Sequence, residues 1–149
     1  MRLAYVGNNV KNVRREARIA NSAPVVVVDV ANVMGARADG WWRDRAAAAL
    51  RLGREVTALA RADPAGEWVL VLEGRSRDAA PVLAQEAAAA PVRVVSAPGS
   101  GDDTIVQVVV EVVARDENCL VVTADRELRQ RCEELSASVV GPGWLLGRL

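Results

Sequence analysis

The acidic residues Asp29, Glu73, Asp102, Asp103 and Asp125 stand where an α/β domain would collect chemistry. Asp29 closes the run Val25-Val26-Val27-Val28, and Glu73 closes Trp68-Val69-Leu70-Val71-Leu72. Asp102 and Asp103 follow Gly99-Ser100-Gly101 and open a long apolar segment. Asp125 follows Leu120-Val121-Val122-Thr123-Ala124. In an open parallel sheet the ligand crevice lies at the carboxyl ends of the strands. Acids gathered there repel by about 4 kcal/mol per close pair at an effective dielectric of about 20. A divalent cation that takes oxygen ligands, Mg²⁺ or Mn²⁺, is the natural group to offset that cost.

The chain contains no His. Ser-His-Asp hydrolysis, Cys-His chemistry, histidine general acid–base catalysis and imidazole-bound zinc are therefore excluded. For a hydrolase, carboxylates with a metal are the simplest remaining route. Arg75, Arg77 and Arg126 flank the acids in sequence and suit bidentate phosphate contacts.

Each acid also has a plain structural reading. Asp29 can cap the element that follows, although Val30 and Ala31 continue the apolar character beyond it; Asn32 is placed to orient it or to contact a phosphate. Ser100 and Asp103 suit the N-cap and third positions of a helix. Asp125 suits the N-cap of the next helix. Glu73 has Arg75 and Arg77 nearby to pair with. The quartet Ser100–Asp103 can instead supply a metal ligand or a water-activating base. Successive helical residues point about 100° apart. Asp102 therefore shares a face with Ile105, Val106 and Val109, and Asp103 does not.

The elements that must position these residues are readable. The 149 residues are enough for one domain with a sizeable core. Hydrophobic residues make up 51%, Phe is absent and aromatics are 3%, so Val, Leu, Ala and Ile must fill the core. Net charge is zero, which argues against a strongly basic nucleic-acid coat. The basic residues are uneven: Arg2, Lys11, Arg14, Arg15 and Arg18 fall in 1–23 against Glu16 alone. That segment carries a helical stripe, Leu3, Val6, Val10, Val13, Ala17 and Ala20. It is expected to be a basic helical extension, either packed on the domain or touching nucleic acid or a partner, with the domain proper over 24–149.

The pattern predicts strands at 25–30, 67–72, 92–96, 119–123 and 138–140. It predicts a loop over 31–40, and helices over 41–61, 78–90 and 125–136 with a short helical tail after Pro142. Segment 104–114 has strand propensity. It also lacks period-two alternation and lies between two strands that need a crossover, so a buried helix is expected. The alternation gives a five-stranded, mainly parallel sheet with helices on both faces. Cys119 and Cys132 have no CxxC spacing and read as buried free thiols. No run is long enough to span a membrane, and 7–18 interrupt any signal-peptide core, so a cytoplasmic protein is expected. Trp41, Trp42 and Trp144 leave open an interface such as that of a homodimer.

Val27-Val28-Asp29-Val30-Ala31-Asn32-Val33 resembles the opening strand motif of the NYN and PIN-like nucleases. Gly99-Ser100-Gly101-Asp102-Asp103-Thr104-Ile105 resembles the Ala-Asp-Asp-x-Ile element of their YacP-like branch, with Gly101 at the Ala. Val122-Thr123-Ala124-Asp125-Arg126-Glu127 resembles the closing Thr-Ser-Asp-Arg element, with Ala124 at the Ser. Position 73 is commonly Asp in that family. The resemblance covers about 24–141. It implies a PIN-like three-layer fold with strand order 3-2-1-4-5 and metal-dependent hydrolysis of phosphodiesters, usually in RNA. Asp29, Asp102 and Asp125 are implied as metal-site acids, and Thr123 and Asn32 as supporting polar groups; Glu73 is a candidate catalytic carboxylate and Asp103 a candidate further metal ligand. With Arg75 and Arg126 on the RNA, the expectation is a Mg²⁺- or Mn²⁺-dependent ribonuclease, endonucleolytic rather than exonucleolytic. An inert RNA- or ribosome-binding module on the same fold is the alternative. A response-regulator-like or phosphatase domain is the third class, and the receiver form of it lacks its late lysine, because Lys11 is the only lysine.

Overall fold

The computed structural model describes residues 23–149, and nearly all of the basic extension expected over 1–23 lies outside the described residues. Strands β1 (Val25–Asp29), β2 (Trp68–Leu72), β3 (Val92–Ser96), β4 (Cys119–Val122) and β5 (Ser138–Val140) form one sheet. Its order is β3-β2-β1-β4-β5, and every pairing is parallel. β1 is central, with Val28 opposite Leu70 on one side and Val122 on the other. All five of its residues are buried, as a strand covered on both faces must be.

Helices cover the two faces. Alternate residues of a strand point to opposite faces. Val26, Val28, Leu70 and Leu72 pack with helices α1 (Val30–Gly35), α2 (Arg45–Ala62), α3 (Ala80–Glu86) and α6 (Pro142–Leu146). Val25, Val27, Val69, Val71 and Val121 pack with α4 (Gly101–Ala114) and α5 (Arg126–Glu134). The domain is thus three layers, α/β/α. The fully buried residues of greatest volume are Leu, Val and Ile, which fill the space that Phe would take elsewhere. No helix among the described residues is long and apolar enough to cross a membrane. Cys119 and Cys132 are buried free thiols, and burial pushes them up to about 12 and about 11.

Segment 104–114 is helical despite its β-branched run, as the crossover between two parallel strands requires. Other boundaries differ from expectation. The stretch 31–40 is not all loop, because α1 begins at Val30 directly after Asp29. The apolar residues Val30, Val33 and Met34 are its buried stripe rather than a continuation of the strand. The helix expected from 41 starts with a 3-10 turn, Trp41–Arg43. Gly40 sets up that turn at φ 77°, where other residues are strained. Asp44 then caps α2 by accepting from the Ala47 N–H at 3.0 Å. The Ala-rich helix of 78–90 is shorter, α3 alone, and a 3-10 segment Gly74–Ala79 precedes it.

Candidate acidic site at the carboxyl end of the sheet

The strand order reverses direction between β1 and β4. From β1 the chain moves outward to β2 and β3, and from β4 it moves to β5 on the other side. The carboxyl ends of β1 and β4 therefore flank the crevice of a doubly wound sheet. Strand parity selects what faces it. Asp29 is two residues past Val27, Glu73 two past Val71 and Thr123 two past Val121. All three fall on the face covered by α4, whose first turn carries Asp102 and Asp103.

Asp29 is only 6% exposed. Its Oδ2 accepts from the Thr123 hydroxyl at 2.9 Å, and its Oδ1 accepts from the Asn32 N–H at 3.3 Å. Burial pushes its carboxyl from 3.8 up to about 6, although those hydrogen bonds pull down. The charges of Asp102 and Glu73 add to the rise. Asn32 turns its side-chain oxygen to the Ala124 N–H at 2.8 Å, which ties α1 to the turn after β4. The Thr123 oxygen also accepts from the Asp125 N–H at 3.2 Å. Asp125 accepts from the Leu128 N–H at 2.9 Å and caps α5. The capping readings of Asp29 and Asp125 therefore describe real bonds, made by the same carboxylates that border the crevice.

Glu73 pairs with neither Arg75 nor Arg77. Its Oε2 accepts from the Gly101 N–H at 2.8 Å, so it caps α4 from the end of β2. Ser100 holds the N-cap position without a side-chain cap bond. Position 101 must be glycine for this arrangement, because a Cβ there would lie 2.7 Å from the Glu73 Oε2. Asp103 holds the third helical position expected of it, without a cap bond to Ser100. It is exposed and bonds Arg131 of α5 at 3.0 Å.

Asp102 is half-buried on the face of α4 that carries buried Ile105 and Val109. It makes no hydrogen bond or ion pair with a described residue. Burial raises its pKa first, followed by the charges of Asp125 and Glu73, while Arg131 pulls the other way. The charges of Asp102 and Glu73 thus reach Asp29, and those of Asp125 and Glu73 reach Asp102. As donors they are all hard oxygens, the kind that suits Mg²⁺ or Mn²⁺ and not a soft metal. Yet among the described residues no three acids converge on a common point where a metal could be held. Asp29, Glu73 and Asp125 each have one oxygen committed to a backbone N–H. The set fits a cation in charge and donor type, with its side chains aimed at helix caps.

The arginines divide. Arg77 donates to the Gly74 and Ala97 carbonyls at 3.1 and 3.3 Å and so braces the loop after β2. Arg75 and Arg126 are exposed and make no hydrogen bond or ion pair with a described residue. Sequence reasoning passed over buried Ser76, whose hydroxyl donates to the Glu73 carbonyl and fixes the turn below that carboxylate. It also passed over Arg45, which lines a cavity of about 390 Å³ together with Trp41 and Glu73. The chain matches no family model, no curated protein and no solved structure in the comparisons made.

Proposed function

We propose that this domain is a PIN-like, Mg²⁺- or Mn²⁺-dependent ribonuclease that cleaves RNA internally. The observation that carries the reading is the gathering of Asp29, Glu73, Asp102 and Asp125 at the β1–β4 crevice, where burial first, and neighbouring acids second, raise the pKa of Asp29 and Asp102. Asp29, Asp102 and Asp125 would hold the cation. When bound, a cation of this kind acidifies a water and neutralises charge on the phosphate under attack. Thr123 holds Asp29 in place through the 2.9 Å bond, and Asn32 fixes the turn that presents Asp125. Glu73 anchors the first turn of α4, which carries Asp102. Arg126, beside Asp125, has no side-chain partner among the described residues and would meet a phosphate. No protein nucleophile is needed.

An RNA- or ribosome-binding module without catalysis is the second reading. It is favoured by the caps that occupy Asp29, Glu73 and Asp125 and by the lack of a convergent triad among the described residues. Cleavage of a labelled RNA decides between them. With Mn²⁺ the wild type should cut, and EDTA, Asp29→Asn or Asp102→Asn should stop it. Binding without any cut, in Mn²⁺ as in EDTA, selects the inert module.

A further inference from the structure

Among the described residues, the guanidinium groups of Arg43, Arg45, Arg75 and Arg126 make no ion pair or hydrogen bond. Most other arginines are tied to a carboxylate or a carbonyl, Arg54 to Glu86 and Arg37 to Glu55 among them. Arg43, Arg45 and Arg75 line one groove of about 700 Å³, with Trp42. Trp42 is 56% exposed, an uncommon place for so large an apolar ring. It stands on half-buried Trp41, edge to face at 6.0 Å, and Trp41 packs against the core. Arg43 lies 5.8 Å from the Trp42 ring centre, and Arg45 lies 5.4 Å from that of Trp41. The φ of 77° at Gly40 fixes the turn that presents both indoles.

We propose that Trp42, Arg43, Arg45 and Arg75 form a subsite for an unpaired RNA strand, with a base stacked on the Trp42 indole and phosphates on the guanidinium groups. The substrate class follows from the parts. An exposed indole offers a stacking platform to any base, and a duplex hides the base faces it needs. Asp44 and Asp78 also line the groove. Asp44 is engaged as the cap of α2. With this mixed charge, stacking must supply much of the affinity, so the dependence on salt should be shallow. The groove is also aimed. Its residues Arg45 and Gly74 line the adjoining cavity that reaches Glu73, so a strand held on Trp42 runs toward the acids. The assignment of RNA rests on the ribonuclease reading, whereas the stacking subsite needs no metal.

The test is fluorescence anisotropy of a labelled single strand of about 12 nucleotides in EDTA, with melting curves to verify folding. Trp42→Ala and the double variant Arg43→Ala/Arg75→Ala should each weaken binding at least about fivefold. Trp42→Tyr should keep most of it, because a ring remains. Arg93→Ala, which removes an exposed charge on β3 outside the groove, should bind as wild type. Folded Trp42→Ala with wild-type affinity overturns the subsite, and so does duplex RNA bound as tightly as the single strand. A matched DNA strand bound more tightly than RNA overturns the assignment to RNA. Mn²⁺-dependent cleavage without measurable binding in EDTA overturns the subsite and leaves the nuclease reading standing. Neither binding nor cleavage would remove both.

Discussion

Gly101→Ala probes how the acidic site is held together. The new Cβ would lie 2.7 Å from the Glu73 Oε2 and 2.8 Å from its Cδ. The carboxylate must move, and the 2.8 Å bond to the residue 101 N–H is lost. A hydrogen bond from a helix N-terminus to a charged acceptor contributes about 1.5–3 kcal/mol. Alanine returns up to about 1 kcal/mol of helix preference over glycine. The net loss is about 0.5–2 kcal/mol, or about 2–8 °C in melting temperature for a domain of this size. Glu73→Asp withdraws the carboxylate by one methylene, about 1.5 Å, which makes room for the methyl. The double variant should therefore melt above Gly101→Ala alone, with a coupling of about 1 kcal/mol. Melting of the wild type, both single variants and the double variant measures this. If Gly101→Ala melts at or above the wild type, or if the two effects simply add, the Glu73–Gly101 contact does not hold α4. Should the coupling appear, the two departures from the resembled nuclease motifs at 73 and 101 are one compensated change.

Metal-free stability should fall as pH rises through the window from about 4 to about 6. Asp29 rests near 3.8 unfolded and is raised to about 6 in the fold, so across that window the folded state holds more protons. Asp29→Asn should flatten the profile and, above that window, be more stable than wild type by an amount approaching about 3 kcal/mol; a lower stability would make the Asp29 cap more important than its buried charge. Asp102→Asn should remove cleavage with little change in melting, because Asp102 has no hydrogen-bond partner to lose among the described residues. Asp103→Asn loses the exposed ion pair to Arg131, should cost no more than about 1 kcal/mol and should keep the activity. The reverse pattern in cleavage assays of the two variants would reassign the pair.

The sheet was legible because parallel strands buried on both faces read as unbroken apolar runs, and β1, β2 and β4 each do. Segment 104–114 was legible as a helix through its place between two parallel strands, against its own β-branched composition. Helix α1 was not. Val30 and Ala31 prolong an apolar run locally, whereas in the fold Asp29 caps a helix there by accepting from the Asn32 N–H. The acids could be named in sequence, but their connections could not. Asn32 meets Ala124 across 92 positions, and Glu73 meets Gly101 across 28, so neither contact leaves a local period. Trp42 and Arg45 were hidden for a similar reason. They join the groove only once the loop after β2 brings Gly74 and Arg75 beside the start of α2.

The central claim is that the acids at the β1–β4 crevice form one cation site. Calorimetric titration of Mn²⁺ into the protein at pH 6 tests it most directly. Asp29, with a pKa of about 6, is about half protonated there. Asp102 is raised as well, so binding should release at least about half a proton, read as a heat that varies with the ionisation enthalpy of the buffer. Asp29→Asn and Asp102→Asn should each abolish binding. No Mn²⁺ uptake by the wild type at millimolar concentration, or undiminished uptake by both variants, would contradict the account.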